Sequence, residues 1–287
     1  MKEKVFFMKL LLILALLISS SFVEATCKLP LNESIVIGCT EKCDFFTRSR
    51  LKSVGATLGY RVKFRNLSFH KDVTESLSTV DSVLIPGGAD INPKFYLKNV
   101  TSELREYTQN NLHLVKFTDE GKRRDLFEYT LLKMFLKFES QYKKLPLLGI
   151  CRGMQMMSVA QGIPLYLDIK TELGIPNRQY KFDRVSVTEE ESLMRTLYGD
   201  GNFLGLELHH QGIRVDYYEA RKNEFPNVKV SSFSNDGLVA ESIEYKDMTA
   251  LGVQYHPEKS FPGTAHPVFK WLLTKACEYK TTYKDQQ

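Results

Sequence analysis

The sequence predicts an α/β protein in which helices cover both faces of a mostly parallel sheet. Three observations support this fold class. Apolar segments of strand length alternate with segments of helical periodicity, the strands of the first half are apolar throughout, and several strands run directly into glycine, cysteine or histidine. Continuous apolar strands are typical of parallel sheets, because the crossover helices bury both faces.

Strand and helix segments alternate regularly through the first half of the chain. Short apolar runs predict the strands, and apolar residues at helical spacing predict the helices. The predicted elements, in order, are a strand at 34–38 (SIVIG), a helix at 45–58, a strand at 60–64 (YRVKF), a strand at 81–88 that ends in proline and two glycines (DSVLIPGG), a helix at 124–138 (RDLFEYTLLKMFLKF), a strand at 145–150 (LPLLGI) and a helix at 153–161.

The second half of the chain is richer in strand signals. Its predicted elements are strands at 184–187 (RVSV), 228–234 (VKVSSFS), 238–245 (LVAESIEY) and 250–256 (ALGVQYH), and a last helix at 267–279. No internal repeat, low-complexity tract or linker interrupts residues 26–287. We therefore predict a single domain over 26–287.

Residues 1–25 have the pattern of a secretory signal peptide. Lys2, Lys4 and Lys9 precede the apolar run LLLILALLI, and small residues follow it. The run is shorter than the about 20 residues that span a membrane. We expect an exported protein, periplasmic or secreted, without a membrane contact after cleavage. An uncleaved anchor and a lipoprotein modified at Cys27 are the alternatives.

The charge of the chain gives little reason to expect a nucleic-acid partner. The net charge is +5, and removal of 1–25 takes away three lysines and two glutamates, which leaves about +4. No block of lysine and arginine stands beside aromatic residues, so nucleic-acid binding is not expected. We expect a small-molecule substrate instead, and a homodimer remains open.

Five cysteines are present, and export makes disulfides plausible. If Cys151 stays free as a reactive thiol, the other four cysteines can form two bridges, but the sequence does not choose their partners. Those four are Cys27, Cys39, Cys43 and Cys277. The pair at 39 and 43 lacks the second half of a zinc site, so no metal is expected. Glycosylation sequons stand at Asn32, Asn66 and Asn99.

Three predicted strands end in residues that suit a catalytic site: Gly87-Gly88, Cys151, and His256-Pro257-Glu258. Ligands of such sheets bind at the carboxyl ends of the strands. The segment Gly149–Gly153 has the form G-x-C-x-G, which is typical of a nucleophile elbow. A helix N-terminus at this turn favours thiolate over thiol. A buried, inert cysteine is the alternative interpretation.

A thiolate nucleophile needs a histidine beside it and a third group to orient that histidine. His256 follows an apolar strand, and the Glu258 carboxylate can accept a hydrogen bond from its ring. Gly87 and Gly88 can supply backbone N–H groups to an oxyanion. In the segment His209-His210-Gln211, the side chains of adjacent histidines point in different directions. We therefore expect the histidines to line the wall of the pocket or to pack in the interior rather than to bind a metal.

Five motifs in order resemble one known family. PGGADINPKFY, RDLFE, LLGICRGMQ, HHQ and GVQYHPE together resemble the class I glutamine amidotransferase-like hydrolases, in particular their γ-glutamyl-γ-aminobutyrate hydrolase branch (peptidase family C26). The resemblance covers 35–271. It implies a flavodoxin-like α/β fold, hydrolysis of a γ-glutamyl amide, and no metal or organic cofactor.

The resemblance also implies roles for individual residues. Cys151 is expected to attack the γ-carbonyl, His256 to act as base and then acid, and Glu258 to orient His256. The backbone N–H groups of Gly88 and Arg152 are expected to form the oxyanion hole. Substrate binding is assigned to Gln155, which is expected to contact the glutamyl part, and to Gly87 and His210.

Two segments near the expected pocket depart from the family pattern. The usual VNSxHHQ appears as GLELHHQ, with Gly205, Leu206 and Glu207 at the changed positions, and the usual GGTLxQD appears as QGIPLYLD, with Pro164 and Leu167 as changes. These departures leave the leaving group undetermined.

The sequence thus favours an exported cysteine hydrolase of γ-glutamyl bonds. A glutaminase-type amidotransferase subunit and a non-catalytic binding protein of the same fold are the alternatives.

Overall fold

The computed structural model describes residues 27–30, 32–67, 73–137, 141–176 and 180–284. The predicted signal peptide at 1–25 lies outside these residues.

Eleven strands form within the described residues. They are β1 (Ser34–Cys39), β2 (Arg61–Asn66), β3 (Ser82–Ile85), β4 (Leu147–Ile150), β5 (Leu165–Tyr166), β6 (Lys181–Val187), β7 (Asn202–Glu207), β8 (Gly212–Ile213), β9 (Val228–Ser234), β10 (Val239–Tyr245) and β11 (Ala250–Val253).

Nine α-helices form in the same described part of the chain. They are α1 (Phe45–Thr57), α2 (Val73–Ser78), α3 (Ser102–Asn110), α4 (Asp119–Phe135), α5 (Arg152–Gln161), α6 (Ile169–Leu173), α7 (Leu193–Tyr198), α8 (Val215–Ala220) and α9 (Pro262–Tyr279). None of the helices in the described ranges is long and apolar enough to cross a membrane.

The main sheet has nine strands in the order β2-β1-β3-β4-β11-β10-β9-β6-β7. Strands β2, β1, β3, β4 and β11 are parallel to one another, and β10, β9, β6 and β7 continue the sheet with antiparallel pairings. Strands β5 and β8 form a separate antiparallel pair. The predicted α/β class with a mostly parallel sheet is confirmed. The antiparallel extension follows from the short turns between β9, β10 and β11, since such turns cannot cross over to a parallel neighbour.

Two apolar cores lie on the two faces of the sheet. On one face, α4 and α5 pack against residues such as Val83 and Leu147. On the other face, α1 and α9 pack against residues such as Leu148 and Leu251. Successive residues of β4 therefore point into different cores, which explains why this strand is apolar throughout.

Two helices begin earlier than the sequence predicts. Helix α4 starts at Asp119 rather than at 124, because the Thr118 hydroxyl accepts a hydrogen bond from the Gly121 amide (3.0 Å) and caps the first turn. Helix α9 starts at Pro262 rather than at 267. A proline at the first helical position is favourable because its missing N–H would have no partner there, and Pro267 is accommodated inside the helix.

The two disulfides leave Cys151 as the free cysteine of the described residues. One bridge joins Cys27 to Cys277 in α9, and the other joins Cys39 at the end of β1 to Cys43. The first bridge ties the start of the described chain to its last helix. The second closes a short loop at the carboxyl edge of the sheet.

Candidate active site

The three strand ends that carry the candidate catalytic residues meet at one edge of the sheet. Strands β3, β4 and β11 are adjacent and parallel, with Ile85 opposite Gly149 and Ile150 opposite Val253. Their carboxyl ends therefore bring Gly87-Gly88, Cys151 and His256 together, as the sequence predicts.

Cys151 occupies a strained turn between β4 and α5. Its φ of 51° and ψ of −105° are unfavourable for a residue with a side chain, at a cost of order 1–3 kcal/mol. The turn is fixed by a hydrogen bond from the Cys151 amide to the Val253 carbonyl (2.7 Å). The flanking glycines are required for space, because a Cβ on Gly149 would lie 2.7 Å from the Gly153 carbonyl carbon, and one on Gly153 would lie 2.1 Å from the Ile85 carbonyl oxygen.

His256 lies between Cys151 and Glu258. Its Nδ1 is 2.6 Å from Glu258 Oε1, and its Nε2 is buried without a hydrogen-bond partner among the described residues. A Cβ on Gly87 would contact both the His256 ring and Cys151 Cβ, so the ring and the cysteine are neighbours in the site. Burial disfavours the imidazolium, but the interactions with Glu258 and then with Cys151 outweigh it and raise the pKa of His256 to about 10. The imidazolium is therefore the stable form of His256 at neutral pH, beside a cysteine at the start of a helix.

Gly87 and Gly88 form the wall opposite the nucleophile. A Cβ on Gly87 would lie 2.9 Å from His256 Cε1 and 3.7 Å from Cys151 Cβ, and one on Gly88 would lie 2.1 Å from Arg124 Nη1. Only residues without a side chain fit between the histidine and the arginine. The backbone of the Gly87-Gly88 loop therefore lies next to the turn that carries Cys151.

The Arg152 side chain points away from the cavity into a buried ionic network. Its guanidinium donates to Asp125 Oδ1 (2.7 Å) and to Glu128 Oε2, and all three side chains are almost fully buried. Burial would raise the pKa of Glu128, but Arg152 and Arg124 outweigh it and hold the pKa below its usual value. Only the backbone N–H of Arg152 is left to face an oxyanion, which is the role that the family resemblance implies.

Arg124 connects this network to the glycine loop. Its Nη2 donates to the Pro86 carbonyl (2.7 Å), its Nη1 to the Gly87 carbonyl (2.9 Å), and its Nε to Glu128 Oε1 (2.9 Å). The sequence does not predict a role in the site for Arg124, Asp125 or Glu128. The sequence feature that indicates them is the pair of opposite charges at positions i and i+4 of RDLFE. In the prediction, only the apolar face of this helix was used.

Gln155 lies one turn after the nucleophile, outside the lining of the cavity described below. Its amide Nε2 donates to the Gln211 carbonyl (2.9 Å) and to Gln254 Oε1 (3.2 Å), and its side chain is buried. The role of Gln155 toward the glutamyl part of a substrate stays a prediction.

The two histidines of the HHQ segment point to different partners, as expected. His209 Nε2 is 2.7 Å from Glu207 Oε2, whereas His210 bridges Asp90 (Nε2, 2.9 Å) and Asp168 (Nδ1, 3.2 Å). Burial lowers the pKa of His210, but Asp90 and Asp168 outweigh it and raise the pKa above its usual value. The structure therefore places His210 in an ionic bridge beside the site rather than in the lining of the cavity.

One group of side chains could in principle hold a cation. The ligand atoms of Glu207, His209 and Glu241 lie within 4.8 Å of one another and are buried. However, both ring nitrogens of His209 already have partners, Nε2 with Glu207 and Nδ1 with the Gln211 carbonyl (2.6 Å). None of these three residues belongs to the predicted triad, for which no metal or cofactor is expected.

A cavity of about 470 Å³ opens over the catalytic residues. Gly87, Gly88, His256 and Glu258 are among its lining residues, whereas the buried Cys151 is not. Seven charged residues also line the cavity: Glu41, Lys42, Asp44, Glu120, Arg123, Arg124 and Lys259.

Several known proteins are similar to this chain. The chain is 31% identical over 201 residues to Protein NtpR of Enterococcus hirae, which covers 67% of this chain and 72% of that protein. It is 26% identical over 224 residues to gamma-glutamyl-gamma-aminobutyrate hydrolase PuuD of Escherichia coli (strain K12), covering 73% of this chain and 77% of that protein.

A crystal structure of a glutamine amidotransferase from Thermotoga maritima shares the fold, with a TM-score of 0.50 at 15% identity, over 85% of this chain and 96% of that one. The family model described as Peptidase C26 matches residues 39–258, which include the cysteine turn and the His256–Glu258 pair. The chain therefore belongs to the Peptidase C26 family, as its motifs indicate.

Proposed function

We propose that this protein is an exported cysteine hydrolase that cleaves γ-glutamyl amide bonds through a thioester on Cys151. The observation that carries the proposal is the set formed by the strained Cys151 turn, the His256 ring with a pKa raised to about 10, and Glu258 at 2.6 Å from that ring. A strained turn and a raised histidine pKa are features that cluster at catalytic sites.

In the first half-reaction, the Cys151 thiolate attacks the γ-carbonyl carbon and the C=O electron pair moves to oxygen. The resulting oxyanion accepts hydrogen bonds from the backbone N–H groups of Gly88 and Arg152. The tetrahedral intermediate then collapses. The C–N bond breaks, and His256 gives its Nε2 proton to the leaving amine, so that a γ-glutamyl thioester and a neutral imidazole remain.

In the second half-reaction, neutral His256 takes a proton from water, and the hydroxide attacks the thioester carbonyl. Collapse of this intermediate breaks the C–S bond and restores the thiolate and the imidazolium. Glu258 accepts a hydrogen bond from the Nδ1–H of His256 throughout, which fixes the tautomer and stabilises the positive ring. One water is consumed, and glutamate and the amine are released.

Export is supported by the cysteine chemistry of the described chain. Two disulfides are found where four cysteines are available outside the active site, and such bridges persist in oxidising compartments. The signal-peptide part of the proposal is tested by mass spectrometry of the protein recovered from outside the cytoplasm. We expect a mature N-terminus near Thr26. Recovery of the whole chain from the cytoplasm alone would contradict export.

The enzymatic part is tested by glutamate release from a substrate panel: γ-glutamyl-γ-aminobutyrate, γ-glutamyl dipeptides, folyl polyglutamate, γ-D-glutamyl muropeptides and glutamine. We expect release that Cys151→Ala abolishes. Cys151→Ser, which keeps an oxygen nucleophile, is the matched variant and should retain only a small residual rate. Ammonia release from glutamine alone would favour an amidotransferase subunit, and silence on every substrate would favour a binding protein.

A further inference from the structure

We propose that the Cys39–Cys43 bridge is a site of thiol–disulfide exchange with small anionic thiols, and that its opening lowers hydrolysis at Cys151. The first half of this inference concerns a second pair of sulfur atoms and is independent of the reaction at Cys151. The second half rests on the proposed function.

Two cavities give small molecules access to this bridge. The smaller, of about 150 Å³, is lined by both cysteines. The larger, of about 680 Å³, is lined by Cys43 but not by Cys39. Cys43 is therefore reached from two sides, and its sulfur is the one that an entering thiol attacks.

The same two cavities are rich in positive charge. Four cations line them: Lys42, Arg48, Lys52 and Arg65. Within the described parts of the chain, none of these four side chains forms an ion pair. The carboxylate in the lining, Asp44, accepts a hydrogen bond from the Thr47 amide (2.8 Å) as the N-cap of α1. A thiol that carries a carboxylate is therefore attracted to the bridge, and a thiol that carries an ammonium group is repelled.

The sulfur that leaves is also stabilised by these cations. Cys39 lines the smaller cavity together with three of them. Nearby cations favour a thiolate over a thiol, and a sulfur that forms a stable thiolate leaves faster in exchange. The Arg48 guanidinium lies 5.3 Å from the centre of the Phe64 ring, which holds this charge beside the bridge.

The exchange needs no reactant besides the thiol. The entering thiolate attacks the Cys43 sulfur, the bond between the two cysteine sulfurs breaks, and Cys39 leaves as a thiolate. A second thiolate then attacks the entering sulfur of the mixed disulfide, which releases Cys43 as a thiolate and the two small thiols as one disulfide. Two thiols are oxidised, the bridge takes up the two electrons, and the protons of the thiols return through the solvent to the cysteine sulfurs.

Opening this bridge leaves the fold in place. Its cysteines are four residues apart, whereas Cys27 and Cys277 are 250 residues apart, so the bridge constrains the unfolded chain far less. Cys39 itself stays in the sheet, because β1 pairs with both neighbouring strands at this position. The movement that follows exchange therefore concerns the loop after Cys39.

This loop contributes to the catalytic cavity. Glu41 and Lys42 are among the residues that line the cavity. The Thr40 hydroxyl donates to Glu128 Oε1 (2.7 Å), the same oxygen that accepts from Arg124 Nε (2.9 Å). Opening the bridge therefore loosens a hydrogen bond to the carboxylate that holds Arg124 behind the glycine loop of the site.

The test measures how fast three small thiols open the bridge: mercaptopropionate, which is anionic, mercaptoethanol, which is neutral, and cysteamine, which is cationic. Acid quenching, alkylation and peptide mass spectrometry follow the Cys39–Cys43 bridge and, as an internal comparison, the Cys27–Cys277 bridge. Each rate is divided by the rate of the same thiol with hydroxyethyl disulfide, which is uncharged, so that the intrinsic nucleophilicity of the thiol cancels.

We expect the corrected rate at the Cys39–Cys43 bridge to be about fivefold higher for mercaptopropionate than for mercaptoethanol, and lowest for cysteamine, since one exposed charge pair contributes up to about that factor. Arg48→Ala/Arg65→Ala should bring the three rates to within about twofold of one another, and Arg48→Lys/Arg65→Lys should restore the order. The matched control, Lys144→Ala/Lys246→Ala, removes two exposed lysines at the opposite edge of the sheet and should keep the wild-type order.

Hydrolysis of a γ-glutamyl substrate is the second readout. Opening by the thiol, or by Cys39→Ser/Cys43→Ser, should lower kcat/KM by up to about tenfold, which is less than the loss of an oxyanion donor because the loop acts only through Glu128. Reoxidation should restore the wild-type protein and leave the serine variant unchanged.

Equal corrected rates for the three thiols, or an order that Arg48→Ala/Arg65→Ala leaves unchanged, would overturn the exchange site. The same order at the Cys27–Cys277 bridge would show a general effect of the net charge and would also overturn it. Equal kcat/KM for the open and closed forms would overturn the effect on hydrolysis. Failure of both forms to hydrolyse any substrate would instead overturn the proposed function, while the corrected rates would still decide the exchange site.

Discussion

Replacing Arg124 by methionine tests whether the buried ionic network positions the catalytic loop. Methionine keeps the apolar stem and removes the guanidinium. The change deletes the hydrogen bonds to the carbonyls of Pro86 and Gly87 and leaves Glu128 with one cation fewer. Arg124 and Glu128 are 2% and 0% exposed, so water cannot replace the lost partner.

Two magnitudes follow from this geometry. Removing one partner of a buried ion pair lowers the free energy of unfolding by about 3–5 kcal/mol. This loss corresponds to a fall in Tm of roughly 6–20 °C for a chain of this size. Loss of the donors behind Gly87 also lets the Gly88 N–H move from the position of the oxyanion. Removal of one oxyanion donor lowers kcat by about 10²–10³, so we expect a loss toward the lower end of that range.

The assay combines urea unfolding with glutamate release by the same preparation. Lys122→Met on the same helix is the matched control, because Lys122 is exposed and makes only a 3.4 Å pair with Asp119. That control should change the free energy of unfolding by less than about 0.5 kcal/mol. If Arg124→Met behaves like Lys122→Met in both measurements, the network neither stabilises the fold nor positions the loop.

Three further changes have definite expected outcomes. Because the charge of Glu258 helps to raise the pKa of His256 to about 10, Glu258→Gln should move the alkaline fall of kcat/KM to lower pH by about 1–3 pH units. Gly153→Ala places a Cβ 2.1 Å from a backbone oxygen of β3 and should lower the free energy of unfolding by about 1–3 kcal/mol or more. Replacing Cys27 and Cys277 by serine opens a loop of 250 residues and should cost about 5 kcal/mol in urea unfolding.

Each of these predictions has an internal comparison. An alkaline limb that stays in place in Glu258→Gln would contradict the stated cause of the raised pKa. Gly263→Ala, with open space around its Cβ, should be neutral or stabilising. Serines at Cys39 and Cys43, four residues apart, should cost only about 2 kcal/mol, and equal losses for the two bridges would contradict the loop-length argument.

Much of the fold and of the candidate site could be predicted because the signals are local. Each catalytic candidate directly follows an apolar strand, and parallel strands bring their carboxyl ends to one edge of the sheet. The Cys151 turn could be predicted because two glycines flank it. In the structure, a Cβ at either glycine would clash with nearby backbone atoms.

The remaining features depend on contacts between distant parts of the chain. Arg152 meets Glu128 only after α4 and α5 pack on the same face of the sheet, so no spacing in the sequence predicts that pair. The partner of Cys27 lies 250 residues away, which sequence spacing cannot select. The antiparallel strands were found as strands, but their direction depends on the turns that connect them.

The central claim is that Cys151 forms a γ-glutamyl thioester, and rapid acid quenching followed by peptide mass spectrometry tests it most directly. With a γ-glutamyl dipeptide as substrate, the wild-type protein should carry a γ-glutamyl group on the peptide that contains Cys151, and the group should disappear on treatment with hydroxylamine. Glutamate release without any adduct on that peptide, and with Cys151→Ala equally active, would contradict the account.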